Sequence, residues 1–335
     1  MQPSCRRWPS PGKPGLFLGT ISKNALPFST NIIYVVERNW SSKLFMSSIL
    51  QEEIMHRVTR ILRPPFYLLL MAFLFCAGMP DALAGDTIRI NGSGTCLEMM
   101  KPLMKAYGKV SRGVSFNMEK PLGSSGAIKA LLDGALDIAV VARPLKPEEI
   151  ARGGKLKPFG KTPLVIVTEK RTPLKTITTR ELEDVYAGRT LKWSNGETIR
   201  IILRPNEETD TKILKHLSPG MAEAITKAHQ RRGLMIAMTD PESIEAVSRI
   251  AGGIGTSTLT HVLVGKLPLK VIDLNGVKPS RKTLKDGAYP LAKEISFVTT
   301  DRLPNAASRF LEFVYSKKGR AITEKYGVLI TIDGK

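Results

Sequence analysis

Three short segments carry hydrogen-bond donors where a strand-like run gives way to a helical pattern. The first is Ser93-Gly94-Thr95 within NGSGTCLEMM. Glycines let a backbone turn tightly and approach a ligand closely, while the amides of a helix's first turn and nearby hydroxyls present donors backed by the positive end of the helix dipole. That chemistry is an anion seat. The same residue types also make ordinary N-caps, with Ser93 or Thr95 closing its own helix, and the turn alone leaves both readings open. The second segment is Ser124-Ser125 within PLGSSGAIKA, where a plain Ser125 cap is again the alternative. The third is PNEETDTKILKHL after the strand ending at Arg204, with Thr209 as N-cap and Asp210 placed favourably in the first turn. Arg143 follows the apolar run DIAVVA, at a strand's C-terminal end, which is the edge where open α/β sheets bind ligands.

The elements that position these residues follow from apolar spacing. Leu97, Met100, Met104 and Tyr107 recur at three- and four-residue steps and predict a helix over 96–107; Ile128, Leu131, Leu132 and Ala135 predict another over 126–133. Strands are expected at 87–90, 114–118, 137–142, 164–168, 199–204, 270–274 and 295–299. Further helices are expected after Thr178 or Thr179, after Thr209, and over 241–250, 304–316 and 318–325. Alternation of this kind predicts a parallel sheet with helices on its faces. No solenoid-period repeat or low-complexity tract interrupts it.

The chain has 335 residues and 42% hydrophobic content, enough for one large core or two moderate ones. From Met55, four basic or histidine side chains precede an unbroken apolar run, Phe66 to Ala77, and the small-x-small site Ala82-Leu83-Ala84. Residues 55–84 therefore read as a signal peptide for export to the periplasm. The run is short for a bilayer span, and Phe75 before Cys76 argues against a lipid anchor. Residues 1–54 read as a non-native upstream extension, with translation beginning at Met55. Residues 1–84 carry nine Lys/Arg and four Asp/Glu, so the remainder keeps 41 basic against 26 acidic side chains, a net +15. Those cations are scattered among acids without a basic helix, which predicts a solvated basic surface and no nucleic-acid partner. Cys96 alone remains after export, so no internal disulfide is expected.

Several chemistries are disfavoured by spacing. No glycine-rich junction continues into the Gly-Lys-Ser/Thr of a phosphate loop, and Thr258 stands in GIGTST where a dinucleotide fingerprint needs its third glycine. His216, His229 and His261 are unpaired at helical steps and lie beside no cysteine, so no metal and no cofactor is expected. Gly123-Ser124-Ser125-Gly126 does not match a G-x-S-x-G elbow.

Taken in order, GSGT with its amphipathic helix, GSSG with its helix, DIAVVARPL, LEDVYAGRTLKWSNGETIRIILRPNEETDT and AYPLAKEISFVT resemble the periplasmic phosphate-binding proteins of ABC uptake systems over about residues 86–332. The most specific match is the family's Phe-x-Gly-x-x-x-x-Trp, strand and loop arginine, which fall on Tyr186, Gly188, Trp193 and Arg204. The resemblance implies an α/β, two-lobed type 2 periplasmic binding protein fold with a ligand cleft between the lobes. Lobe 1 would be 86–162 plus 290–335, and lobe 2 would be 163–289. It further implies a ligand-binding set drawn from Ser93, Gly94, Thr95, Ser124, Ser125 and Arg204, whose guanidinium can grip two oxygens at once.

Two positions depart from the family. Its aspartate in Ser-Asp-x-Pro-Leu falls on Arg143, and its Ser-Gly-Thr after the loop arginine falls on Glu208-Thr209-Asp210, so these four are added to the site. The expected protein is thus an exported, non-catalytic, monomeric solute-binding protein for a small oxyanion, phosphate or phosphate-like, feeding the membrane subunits of an ABC importer. Two other readings stay open: a periplasmic signalling or assembly protein that uses the fold to bind a protein partner, and a hydrolase using Ser124 or Ser125.

Overall fold

Strand β1 (Thr87–Gly92) runs directly into helix α1 (Gly94–Tyr107), and their buried Ile88, Ile90, Leu97, Met100 and Leu103 fix the strand and helix against one another. The computed structural model describes residues 86–332; the signal peptide and upstream extension read from the sequence lie outside the described residues. The described residues all fall within one compact unit. After β1 and α1 come β2 (Ser115–Asn117), α2 (Gly123–Leu132), β3 (Ile138–Val141), α3 (Pro147–Ala151), β4 (Lys155–Glu169) and β5 (Thr176–Ile177). Then follow α4 (Thr179–Ala187), β6 (Arg200–Leu203), α5 (Thr209–Lys215), α6 (Pro219–Gln230), β7 (Met235–Ile236), α7 (Asp240–Arg249) and β8 (Gly253–Thr258). The chain ends with α8 (Leu259–Gly265), β9 (Leu269–Leu274), α9 (Arg281–Lys285), β10 (Ala292–Thr299), α10 (Asn305–Tyr315), α11 (Lys317–Glu324) and β11 (Leu329–Ile330).

The strand order is β2-β1-β3-β10-β4-β8-β6-β7. Each end is parallel, β1 pairing with β2 and β3 and β6 with β7 and β8. The middle is not. β10 is antiparallel to both β3 and β4, and β4 is antiparallel to β8, which corrects the expectation of a parallel sheet. The reason is the length of β4: its first half pairs with β10 and its second half, Leu164 to Thr168, pairs with β8, so one strand serves both ends of the sheet. Its continuous apolar stretch Leu164–Val167 is buried on both faces, as interior strands require. The sequence pattern located only that second half, because the first, KLKPFGKTP, carries three lysines and two prolines and has no alternation.

The apolar core is correspondingly divided. One cluster joins β1, α1, β3, Phe159, Ile295, Phe297 and α10; another joins Leu164, Ile166, α4, β6, α6, Ile272 and Leu291. Among the residues of the first, Phe159, Phe297 and Tyr315 pack edge to face in a mutual trio, with centroids 5.4 to 5.7 Å apart. In the second, Trp193 donates its indole N–H to the Gly252 carbonyl at 3.1 Å, and Tyr289 donates to the Leu164 carbonyl at 2.8 Å. Helix α4 starts with the Thr178–Glu181 capping box and stops at Gly188, whose φ of 77° is the left-handed cap that glycine adopts freely. Helix α6 was not anticipated by periodicity; it starts at the Ser218 cap and buries a narrow stripe of Met221, Ala224, Ile225 and Ala228.

Truncating Phe297 removes one member of the aromatic trio at a site with no exposure. Phe297→Ala is expected to cost about 3–5 kcal/mol of stability, read as a fall in the urea midpoint with little change in slope.

Candidate functional site

Helix α1 begins at the C-terminal end of β1, and Ser93 occupies its N-cap position with extended backbone but makes no capping bond through its side chain. The Ser93 side chain and both following residues are buried, and the Thr95 hydroxyl finds no partner within the protein. What meets the helix N-terminus is a carboxylate from a distant element: Asp240, the first residue of α7, accepts the Thr95 amide at 3.1 Å. Gly94 is required by this approach, since a Cβ there would stand 2.5 Å from Asp240 Oδ2. Its φ is ordinary; the constraint is space.

Arg204, at the end of β6, faces the same carboxylate. Its Nη2 lies 3.4 Å from Asp240 Oδ1 and 3.8 Å from Glu208 Oε1, its Nη1 donates to the Ala237 carbonyl at 2.5 Å, and its buried Nε has no partner. A cavity of about 110 Å³ opens beside them, lined by Ser93, Gly94, Pro121, Leu122, Gly123, Arg204, Glu208, Met238, Thr239 and Asp240. Behind Asp240 lies Lys293 of β10, with no exposed surface, its ammonium 2.5 Å from Asp210 Oδ1. Two cations and two carboxylates are thus buried in one cluster. Burial disfavours the charge on Lys293, but Asp210 and Asp240 outweigh it and raise its pKa. Burial likewise pushes Asp240 upward, and Lys293, Arg204 and the Thr95 amide overcome it, holding the carboxyl below the usual carboxylate range. The nearby Cys96 thiol is buried and pushed up to about 11, so it stays neutral.

The residues read from the sequence are distributed as follows. Ser93, Gly94, Arg204 and Glu208 line the cavity, with Thr95 in the adjoining first turn of α1. Ser124 and Ser125 lie in the first turn of α2, which starts at Gly123, earlier than expected and without a side-chain cap. The Ser124 hydroxyl accepts the Ala142 amide at 3.1 Å, and Ser125 accepts from Arg143 at 3.1 and 3.3 Å. Arg143 makes a two-pronged pair with Glu149, at 2.8 and 2.7 Å, within its own connection; it does not reach Glu208 or Asp210. Thr209 is the first residue of α5, capped by Glu208, and borders a different, larger hollow with Pro290 and Leu291. Asp210 is sealed against Lys293, with Thr256 at 3.5 Å. Sequence reasoning missed Asp240 and Lys293. Lys293 occupies an inward position of an otherwise apolar alternating strand, which is a readable signal, whereas Asp240 in TDPES looks like a routine acidic first turn.

Comparison with known proteins places this architecture. The sequence model of the PBP superfamily domain matches residues 78–318. The chain belongs to the PBP superfamily. Among similar PBP proteins, the phosphate-binding protein PstS of Borreliella burgdorferi is 23% identical over 252 residues, 72% of this chain and 89% of that one. Protein SphX of Synechococcus elongatus is 26% identical over 259 residues, 71% and 75% of the two chains. A solved structure from Clostridium perfringens, described as a phosphate ABC transporter substrate-binding protein with bound phosphate, superposes with a TM-score of 0.63 at 20% identity, covering 73% of this chain and 99% of that one. The two-lobed α/β fold of type 2 periplasmic binding proteins, expected from the motif order, is the observed one. Among the described residues of this PBP chain, no cluster of three His, Cys, Asp or Glu has metal-site geometry, and no helix is long and apolar enough to cross a membrane.

Two measurements probe the buried charges of this PBP protein. Lys293→Met leaves Asp210 and Asp240 without their shared cation and is expected to cost about 3–5 kcal/mol. Adding Asp210→Leu should recover part of that loss, since the double variant buries one charge fewer; urea unfolding compares them. Asp240, depressed in the folded state, contributes stability above the ordinary aspartate pKa of about 3.9. That stability is lost as pH falls through the lower folded value. The stability gap between wild type and Asp240→Asn should therefore close as pH is lowered from about 5 to about 2.

Proposed function

We propose that this protein is a solute-binding protein for a small oxyanion, inorganic phosphate, held at the cavity between the N-terminal turn of α1 and Arg204. The observation that carries the reading is convergence. The N-terminal turn of α1, through Ser93 and Gly94, and the buried Arg204, whose Nε has no partner, line one cavity of about 110 Å³, and the unpartnered Thr95 hydroxyl lies in the same turn. Helix amides and a forked guanidinium suit a tetrahedral oxyanion with several acceptor oxygens. The nearby start of α2 adds a second helix dipole from the cavity's Gly123 side. Phosphate binding by PstS of Borreliella burgdorferi, as its name states, supports the choice of anion.

In this reading the segments 86–162 with 290–335 form one lobe and 163–289 the other, and the oxyanion is held where they meet. The remaining steps follow the family resemblance: export to the periplasm, a monomeric carrier, and delivery to the membrane subunits of an ABC importer. No covalent chemistry is asked of the site.

Isothermal calorimetry on the purified protein tests the reading. Phosphate should bind with one site per chain, and Arg204→Ala should weaken it by about 2–5 kcal/mol if the ion pair is desolvated, with little loss of fold by circular dichroism. Absence of any phosphate heat at millimolar concentration in the wild type would overturn the assignment.

A further inference from the structure

The carboxylate of Asp240 stands where an anionic solute would be expected to stand. It accepts the first-turn amide of α1 through Thr95 at 3.1 Å, and its other oxygen is 3.4 Å from Arg204 Nη2. Both are donors assigned above to the solute. An acid at the start of a helix normally serves its own helix dipole. Asp240 does this for α7 and at the same time faces the N-terminus of α1, so one carboxylate meets two positive helix ends. The placement is built in from both sides: Gly94 leaves space that a Cβ would fill at 2.5 Å, and α7 is anchored by Ile244, Ala246 and Val247 in the core cluster that also holds Val165 and Ile202. Asp240 is 8% exposed and is kept ionised by the cations around it.

We propose that Asp240 is an internal competitor for the anion seat: its carboxylate takes the α1 amide and Arg204 in the absence of solute, and a solute oxyanion binds by displacing it. The proposal rests on the anion-seat reading above. It has a definite signature, because a competitor opposes every anion alike. Removing its charge should tighten binding of protonated and fully ionised oxyanions by a similar factor. A carboxylate that instead stayed in place and accepted a proton from the solute would favour hydrogen phosphate over sulfate, and its removal would weaken phosphate.

The test is calorimetric titration of phosphate and sulfate into the full-length wild type, Asp240→Asn and Asp240→Gly at pH 7.5, with circular dichroism as a check of fold. Asparagine keeps the shape without the charge; glycine empties the position. The expected result is at least tenfold tighter binding of both anions in both variants. Phosphate affinity that falls or stays level in the variants, while the wild type binds phosphate, overturns the competitor and leaves the seat assigned. Wild type and variants that bind neither anion overturn the seat, and the competitor with it. Should neither variant fold, rapid filtration of radiolabelled phosphate with the wild type decides the matter. A displaced competitor makes the observed association rate level off as phosphate rises, whereas a rate that climbs linearly throughout overturns the proposal.

Discussion

The structure depends on burying charge in the seam between its two sheet ends. Lys293 has no exposed surface, and the chain could not place an ammonium there without Asp210 at 2.5 Å and Asp240 nearby. Such a cluster is weak evidence for stability, since desolvation offsets most of the attraction. Its value lies in orientation. Lys293 belongs to β10, Asp210 to α5 and Asp240 to α7, so satisfying one ammonium brings three separately folded elements to one place. Arg204 joins through Asp240, and the N-terminus of α1 joins through Thr95. The cavity opens beside this cluster, where Arg204 and Asp240 are joined in its lining by Ser93, Gly94 and Glu208.

Much of this was legible in the chain. The amphipathic spacing of α1, a helix start at Thr178 or Thr179 and the order of hydroxyl-rich junctions all point to an α/β fold with donors gathered at strand ends. Gly94 and Arg204, both singled out from that order, line one cavity, with Thr95 in the adjoining turn. What could not be read was strand direction in the middle of the sheet. Alternating strands and helices suggest parallel pairing, but β4 and β10 are joined to their neighbours by segments remote in sequence, and no local pattern encodes that register.

The charged residues were harder still. Arg143 stands at a strand end, as a ligand residue would, yet Glu149 six residues later captures it at 2.7 and 2.8 Å. The Lys146–Glu149 capping interaction of α3 positions that glutamate, so a local helix start decided the fate of the arginine. Asp210 was read as a helix-start acid, and it is one, but its side chain turns to Lys293, far along the sequence. Spacing identifies which side chains can carry charge. It does not say which partner reaches them first.

The register of β4 and β10 has a consequence for synthesis. Pro163 is paired with Ala292, so the whole segment between them leaves and re-enters the sheet at adjacent points. β3 and β4 emerge early from the ribosome, but the strand that lies between them in the sheet, β10, arrives only after the inserted segment has been made. Until then the facing edges of β3 and β4 are unpaired. The proline pair and lysines of KLKPFGKTP, which hid this strand from sequence inspection, suit a strand that must wait: they are the residue types that discourage a bare edge from pairing with the wrong chain.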